Sequence, residues 1–292
     1  MNPFSEFDAQ VQTDVPLSTI TWSHLGGPAQ YLIAPQTVDA LTGVVKRARE
    51  EQLPIRILGS GSNLLVHDRG VPGVVLRLTA PVFTEANTQG NRLKAAGGMK
   101  LGDLISFAVG KGLSGLESLV GIPGTVGGAL RGNTGARNGD IGQWTKQATV
   151  MTTSGEIIVH SKEDLVFSYR KSSLDELVIL SAEFHLSEED PQELTRRLQK
   201  QWIVTKASQP VADEGLCLIF KDPPGMDAAM LIEQAQLKGT RVGEVEVSDR
   251  HANFFLFHEN ASFEDTLRLI ELVTQQVSDR SGIELEVQPT IW

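Results

Sequence analysis

Between Gly121 and Gly142 the chain places glycine at 121, 124, 127, 128, 132, 135, 139 and 142. Long regular helices and strands do not tolerate that density, because glycine loses the most backbone freedom on ordering. Yet Ile122, Val126, Ala129 and Leu130, all core-type residues, are interleaved with these glycines. A free linker has no use for them. The pattern fits a bare main-chain surface against which a flat ligand lies, with any phosphate taken by successive N–H groups. A shorter loop, Gly59-Ser60-Gly61-Ser62-Asn63, follows the apolar run at 55–58 and has the same capacity. It is not the dinucleotide fingerprint, whose sixth position is here Leu64, nor a P-loop, since no Gly-Lys-Ser/Thr follows. Taken alone, it also reads as a tight turn between strands.

The rest of the chain alternates short apolar runs with amphipathic stretches, which predicts a mixed α+β protein. Strands are expected at 55–58, 74–78, 149–151, 156–160, 177–186 and 216–220, and helices at 38–50, 101–111, 192–206 and 226–237. The clearest helix starts at the capping-box-like Ser262-Phe263-Glu264-Asp265 and carries an apolar stripe, Phe263, Leu267, Ile270, Val273 and Val277, up to Gly282. The acidic stretch Ser187-Glu188-Glu189-Asp190-Pro191 reads as a linker.

A length of 292 residues predicts about two domains, and 40% hydrophobic with 21% charged residues excludes wholesale disorder. Lys+Arg 26 against Asp+Glu 36 gives a net charge of -10, which argues against a dedicated nucleic-acid binder but leaves room for a local cationic pocket. The single cysteine, Cys217, excludes an internal disulfide framework and fits a reducing compartment. The start Met1-Asn2-Pro3-Phe4-Ser5-Glu6-Phe7-Asp8 has neither a basic nor an apolar leader region, and no run of 18 apolar residues occurs, so a soluble, cytoplasmic protein is expected. His24, His67, His160, His185, His251 and His258 lack metal-ligand spacing, so no metal site is expected.

The pairing of Gly59-Ser60-Gly61-Ser62-Asn63-Leu64-Leu65 with Gly121-Ile122-Pro123-Gly124-Thr125-Val126-Gly127-Gly128-Ala129 resembles the UDP-N-acetylenolpyruvoylglucosamine reductase (UDP-N-acetylmuramate dehydrogenase) family, which makes UDP-N-acetylmuramate for bacterial peptidoglycan. The likeness runs nearly end to end, through Gly26-Gly27-Pro28-Ala29, Ser168-Tyr169-Arg170-Lys171-Ser172, Phe220-Lys221-Asp222-Pro223, Leu237-Lys238-Gly239 and Val247-Ser248-Asp249-Arg250-His251-Ala252-Asn253-Phe254. It implies an FAD-binding domain of the vanillyl-alcohol-oxidase/p-cresol-methylhydroxylase type at 1–188, with lobes at about 15–80 and 81–188, and a smaller α+β substrate domain at 189–292. The spacing from 170 to 220 leaves no room for the substrate-covering Tyr loop of part of the family, so the chain resembles the shorter type.

By the same resemblance Gly59, Ser60, Gly61, Ser62, Asn63 and Leu64 would hold the FAD pyrophosphate. Ile122, Pro123, Gly124, Gly127, Gly128, Ala129, Asn133, Gly135 and Ala136 would lie along the flavin. Tyr169, Lys206, Lys221 and Asp222 would face a UDP-sugar substrate. The loops 59–63 and 121–136 contain neither His nor Cys, so the FAD would be held noncovalently. In the family reaction NADPH reduces FAD, a hydride then adds to the enolpyruvyl double bond, and an enzyme acid protonates the enolate.

Three side chains carry that chemistry in the family: an arginine, a serine or cysteine proton donor, and a glutamate. The arginine is Arg170, whose fixed guanidinium can hold an enolate carboxylate bidentately. The donor position, two residues before Phe220, is Leu218, and the glutamate position is Gln288. Neither side chain has a titratable proton. Cys217 is adjacent to Leu218 but on the opposite face of a strand, so it serves only if a bulge shifts the register; Glu286 lies two residues from Gln288. Asp222 replaces the family asparagine and would repel a pyrophosphate unless Lys221 or Lys206 offsets it. Two readings follow: a working FAD-dependent, NADPH-driven reductase, or an FAD-binding paralogue with lost or altered catalysis, either regulatory or acting on another substrate.

Overall fold

The computed structural model describes residues 3–136, 139–210 and 215–292, so Met1 and Asn2 of the amino-terminal reading lie outside the described residues. The chain forms two compact units: Met1–Asp14, Ala29–Ser60 and Pro72–Thr205 in the first, and Val15–Pro28, Gly61–Val71 and Lys206–Trp292 in the second.

Two sheets organise the first unit. One orders the strands Ala9–Pro16, Pro28–Pro35, Val71–Leu76 and Ile55–Ile57, the last two parallel. Helix α1, Val38–Glu50, begins where the Thr37 side chain accepts from the Ala40 N–H at 3.1 Å. Its buried Leu41, Val44, Val45 and Ala48 recur at helical spacing and join the core over this sheet with Ile33, Val74 and Leu76. The other sheet orders Ile157–Ser161, Thr145–Met151, Val178–His185, Arg92–Ala96 and Ala86–Gln89. Helix α2, Leu101–Gly110, buries the expected stripe Leu101, Leu104, Ile105 and Ala108. Its chain turns away at Gly112, whose φ of +70° suits glycine. Helix α3, Val126–Arg131, and helix α4, Ile141–Trp144, interrupt the glycine-rich segment, and Val126, Ala129, Leu130 and Ile141 fall in the same core as α2.

The acidic stretch expected as a linker is ordered. Ser187–Glu188 pairs antiparallel with Leu113–Ser114, and the Glu189 N–H donates to the Gly112 carbonyl at 2.9 Å. Helix α5, Pro191–Ser208, follows at once. From it Arg197 reaches Glu189 at 2.6 Å and the buried Glu117 at 2.9 Å, and the hydrogen bond to Glu189 raises the guanidinium pKa. These ties keep the chain in the first unit through Thr205, whereas the sequence placed a boundary at 188/189. The reason is that polarity marks exposure, and exposed residues still pair through their main chain.

In the second unit the strands Gly215–Leu218, Phe254–Phe257, Val245–Val247 and Arg241–Val242 form a sheet. Leu64–Leu65 pairs in parallel with Thr290–Ile291, which ties the chain end to the glycine loop that precedes Leu64. Helix α6, Ala228–Gln234, is shorter than the expected 226–237 because Asp227 caps it, accepting from the Met230 N–H at 3.1 Å. Helix α7, Phe263–Ser281, starts at Ser262, which accepts from the Asp265 N–H at 3.1 Å, and stops at Gly282 with φ +71°. Its Phe263, Leu269, Ile270, Val273 and Val277 are buried. Removing such side chains from water is worth about 1.5–3 kcal/mol each before entropy is counted. Among the described residues no helix is long and apolar enough to cross a membrane.

Candidate functional site

In the first unit the two glycine loops meet. A Cβ on Gly59 would lie 2.7 Å from the Thr125 Oγ1, closer than real Cβ contacts allow, so a side chain there would have to displace the Thr125 side chain. The main-chain amides of Gly59 and Ser60 donate to no described residue, which leaves successive N–H groups for an anion. The α3 end of the longer loop differs from the sequence expectation of a phosphate nest. Val126 N–H donates to the Met99 carbonyl at 2.9 Å, Gly127 N–H to the Gly97 carbonyl at 2.7 Å, and Gly128 N–H to the Thr125 Oγ1 at 3.3 Å. The loop instead offers bare surface. A Cβ on Gly128 would meet nothing nearer than the Thr125 Oγ1 at 3.4 Å. Gly124 holds φ +144°, a conformation that L side chains rarely adopt. Ile122, Pro123, Gly127 and Gly135 are half-buried and Ala136 is exposed, while Ala129 lies in the core and therefore offers a ligand only its main chain.

Arg170 projects from the tip of a hairpin between the strands Phe167–Ser168 and Lys171–Ser172. It is the second residue of the two-residue turn and has φ +56°, a left-handed conformation that costs a non-glycine residue about 1–2 kcal/mol. Its Nη1 donates to the Gly135 carbonyl at 3.2 Å, and its guanidinium carbon lies 5.4 Å from the ring centre of the exposed Tyr169. The Nε is buried and has no hydrogen-bond partner among the described residues. A buried guanidinium N–H without an acceptor is expensive, and an anionic oxygen supplied by a ligand would satisfy it.

Leu218 and Gln288, expected from the resemblance at the family's acid positions, lie in the second unit. Gly215–Leu218 pairs with Phe254–Phe257 residue for residue, with Cys217 opposite Phe255 and Leu218 opposite Phe254 and no register shift. The bulge that would bring Cys217 to the Leu218 position is absent. Burial pushes the Cys217 thiol up to about 12, and its Sγ faces the Ser62 carbonyl at 3.9 Å. Asn253, buried, fixes the strand end by accepting from the Phe220 N–H at 2.8 Å and donating to the Phe220 carbonyl at 2.8 Å. Nothing local in the sequence marks Asn253 for this role, because its partner Phe220 lies 33 residues earlier. Gly61 has φ +70°, and a Cβ there would lie 2.8 Å from the Ile20 carbonyl oxygen.

Gln288 is joined to the short glycine loop: its Nε2 donates to the Asn63 Oδ1 at 3.3 Å, while its Oε1 is buried without a partner among the described residues. Its backbone N–H donates to the Ile219 carbonyl at 2.8 Å beside the Phe220–Val287 bridge, which sets it next to the Leu218 strand. Glu286 does not stand in for it, being ion-paired with Lys221. Lys221 is thereby directed to Glu286, and Asp222 accepts from the Ala228 N–H at 2.9 Å at the start of α6. Lys206 is exposed, and its carbonyl accepts from Arg250 at 3.2 Å. His251 is half-buried, and desolvation lowers its pKa. Among the described residues no group of three His, Cys, Asp or Glu side chains is arranged to hold a metal ion.

Residues 29–161 match the FAD binding domain family, which places the chain among proteins built on an FAD-binding fold. Residues 209–292 match the family described as UDP-N-acetylenolpyruvoylglucosamine reductase, C-terminal domain. The UDP-N-acetylenolpyruvoylglucosamine reductase of Rhodopirellula baltica is 36% identical over 97% of this chain and 92% of its own length. UDP-N-acetylenolpyruvoylglucosamine reductase 2 of Symbiobacterium thermophilum is 39% identical over 95% of this chain and 90% of its own. The crystal structure of the UDP-N-acetylenolpyruvylglucosamine reductase from Thermus caldophilus superposes with a TM-score of 0.82 at 34% identity, covering 97% of this chain and 99% of that one. The chain belongs to the UDP-N-acetylenolpyruvoylglucosamine reductase family, and the α+β, FAD-binding fold implied by its motifs is the fold it has.

Proposed function

We propose that this chain reduces UDP-N-acetylglucosamine-enolpyruvate to UDP-N-acetylmuramate with NADPH and noncovalent FAD, in the supply of peptidoglycan precursor for the cell wall. The observation that carries the reading is Arg170: a strained hairpin-tip arginine with a buried, unpartnered Nε, held against Gly135 of the glycine-rich loop. A carboxylate is the ligand group such an arginine accepts best, and the enolpyruvyl group carries one. The unengaged amides of Gly59 and Ser60, with Gly61, Ser62, Asn63 and Leu64 following, would hold the pyrophosphate of FAD. The exposed Gly128 and the half-buried Ile122, Pro123, Gly124 and Gly127, with the backbone of Ala129, Asn133, Gly135 and Ala136, would lie along the flavin. When bound, FAD supplies the hydride that NADPH delivers to it. Arg170 would stabilise the developing enolate by charge and bidentate hydrogen bonding. Tyr169, Lys206, Lys221 and Asp222 would face the UDP-sugar, with Lys221 shared with Glu286. Residues 1–188 would serve the cofactor and 189–292 the substrate.

A second reading, an FAD-binding paralogue with lost or altered catalysis, is favoured by the absence of an acid: by the resemblance Leu218 would stand at the donor position and Gln288 at the glutamate position, the Leu218 strand keeps a regular register, and the Cys217 thiol is buried. One experiment separates the two. Purified protein should bind FAD that acid precipitation releases, and anaerobic NADPH should bleach it. Reoxidation by UDP-N-acetylglucosamine-enolpyruvate, slowed severalfold or more when Arg170 is changed to Ala, supports the reductase. Reduction by NADPH without any reoxidation supports the paralogue, and a protein without FAD affinity overturns both.

A further inference from the structure

The hairpin that carries Arg170 is not held by its own two-stranded ladder alone. The Asn133 side chain, buried in the first unit, spans two loops: its Nδ2 donates to the Ser168 carbonyl at 2.9 Å, and its Oδ1 accepts from the Gly142 N–H at 3.1 Å. Ser168 is two residues before Arg170, and Asn133 is two residues before Gly135, whose carbonyl receives the Arg170 guanidinium. The other side of the hairpin is tied to the same segment, the Ser172 Oγ donating to the Arg131 carbonyl at 3.0 Å and Arg131 reaching the Glu176 carbonyl. Burial lowers the Arg131 pKa, and the nearby Glu176 and Asp175 oppose that shift, so its charge is compensated where it sits. Asn133 itself holds φ +40°, a conformation asparagine tolerates better than most residues.

From this we infer that Asn133 is a positioning residue that sets Arg170 in register with the glycine-rich loop, so that the arginine and the surface beneath the cofactor move as one body. The resemblance placed Asn133 among cofactor contacts; both ends of its side-chain amide are engaged inside the protein. The ordering of loop 121–136 and the placement of Arg170 are then linked through one side chain whose donor and acceptor are both used. No other residue type offers that pair at this reach on a left-handed backbone. Serine is too short, aspartate loses the donor, and a lysine or glutamine would have to shift the loop. The inference rests on the reading of Arg170 given under Proposed function.

The test uses Asn133→Gly, which keeps the left-handed backbone and removes the amide, and Asn133→Asp, which keeps the acceptor and removes the donor. Hydrogen exchange by mass spectrometry needs no turnover. The segment 166–173 should exchange about tenfold faster or more in both variants, while the strands 145–151 and 178–185 keep their protection. In the FAD-loaded protein, flavin reoxidation by UDP-N-acetylglucosamine-enolpyruvate should slow about 10–100-fold, as expected for a mis-set catalytic group. The double variant of Asn133→Gly with Arg170→Ala should be no slower than Arg170→Ala alone. Unchanged exchange at 166–173 or additive losses would each overturn the inference. An Arg170→Ala protein that reoxidises normally would instead overturn the reading of Arg170, and Asn133 with it.

Discussion

Gln288→Glu restores the family carboxylate, and the structure sets what it costs. Gln288 now gives one hydrogen bond, to Asn63, and keeps a buried, unpartnered Oε1. In the variant Asn63 can turn its amide to donate to one carboxylate oxygen. The other oxygen stays where no donor reaches it. An unmet buried acceptor of this kind costs about 1–3 kcal/mol when charged. At 1.36 kcal/mol per unit, that raises the carboxyl by about 1–2 units, from about 4.3 to about 5–6.5. The folded pKa is then above the unfolded one, so the folded state binds the proton more tightly. The variant should match the wild type below about pH 4, and its stability deficit should grow between about pH 4 and 6.5 and stay constant above. Urea midpoints of both proteins from pH 4 to 8 measure the difference directly. A carboxyl titrating near neutrality is also a usable acid. Leu218→Ser combined with Gln288→Glu should therefore speed flavin reoxidation more than either change alone, leaving NADPH reduction unaffected. A stability difference that is flat across pH would refute the argument, because it would mean that the oxygen at that position is solvated or paired.

Gly128→Val should fold with an apo stability within about 1 kcal/mol, since the Cβ site is open at 3.4 Å from its nearest neighbour, yet it should bind FAD at least tenfold more weakly by titration, because branched bulk is least tolerated where another surface lies on bare backbone. Cys217→Ala should leave turnover unchanged, and the native thiol should resist disulfide-exchange reagents at pH 8, because a thiol with a pKa of about 12 is almost wholly protonated there; loss of activity would mean that Cys217 reaches the substrate. Arg197→Ala removes the cation from the buried Glu117 carboxylate, which keeps its bonds from the Ser114 Oγ and the Gly115 N–H, and should cost about 1.5–3 kcal/mol in thermal unfolding, with Glu117→Gln in the same background recovering part of it.

Much of this protein was readable from residues that act on their near neighbours. Helix α1 and helix α7 run where the apolar spacing and the caps Thr37, Ser262 and Gly282 put them, because a cap and a stripe lie within a few residues of each other. The two glycine loops were legible for a related reason: a stretch that rejects side chains announces that something must approach its backbone, and Gly59 against Thr125 shows one such approach. The roles expected at Arg170, Leu218 and Gln288 came only from the resemblance of the surrounding motifs to the family.

What those residues do with their side chains was decided by partners far along the chain. No local pattern says that Asn133 meets Ser168, that Gln288 meets Asn63, or that Lys221 takes Glu286 in place of Asp222. The acidic stretch at 187–190 looked like a linker because composition reports polarity alone, while its strand pairing with Leu113–Ser114 depends on main-chain groups that composition does not see. Likewise Cys217 is buried through the regular pairing with Phe254–Phe257, a register set by the sheet and by the Asn253 bonds to Phe220. Periodicity, capping and backbone permissiveness act over a few residues and are written in the sequence; which donor finds which acceptor depends on how distant segments pack, and only the folded chain decides it.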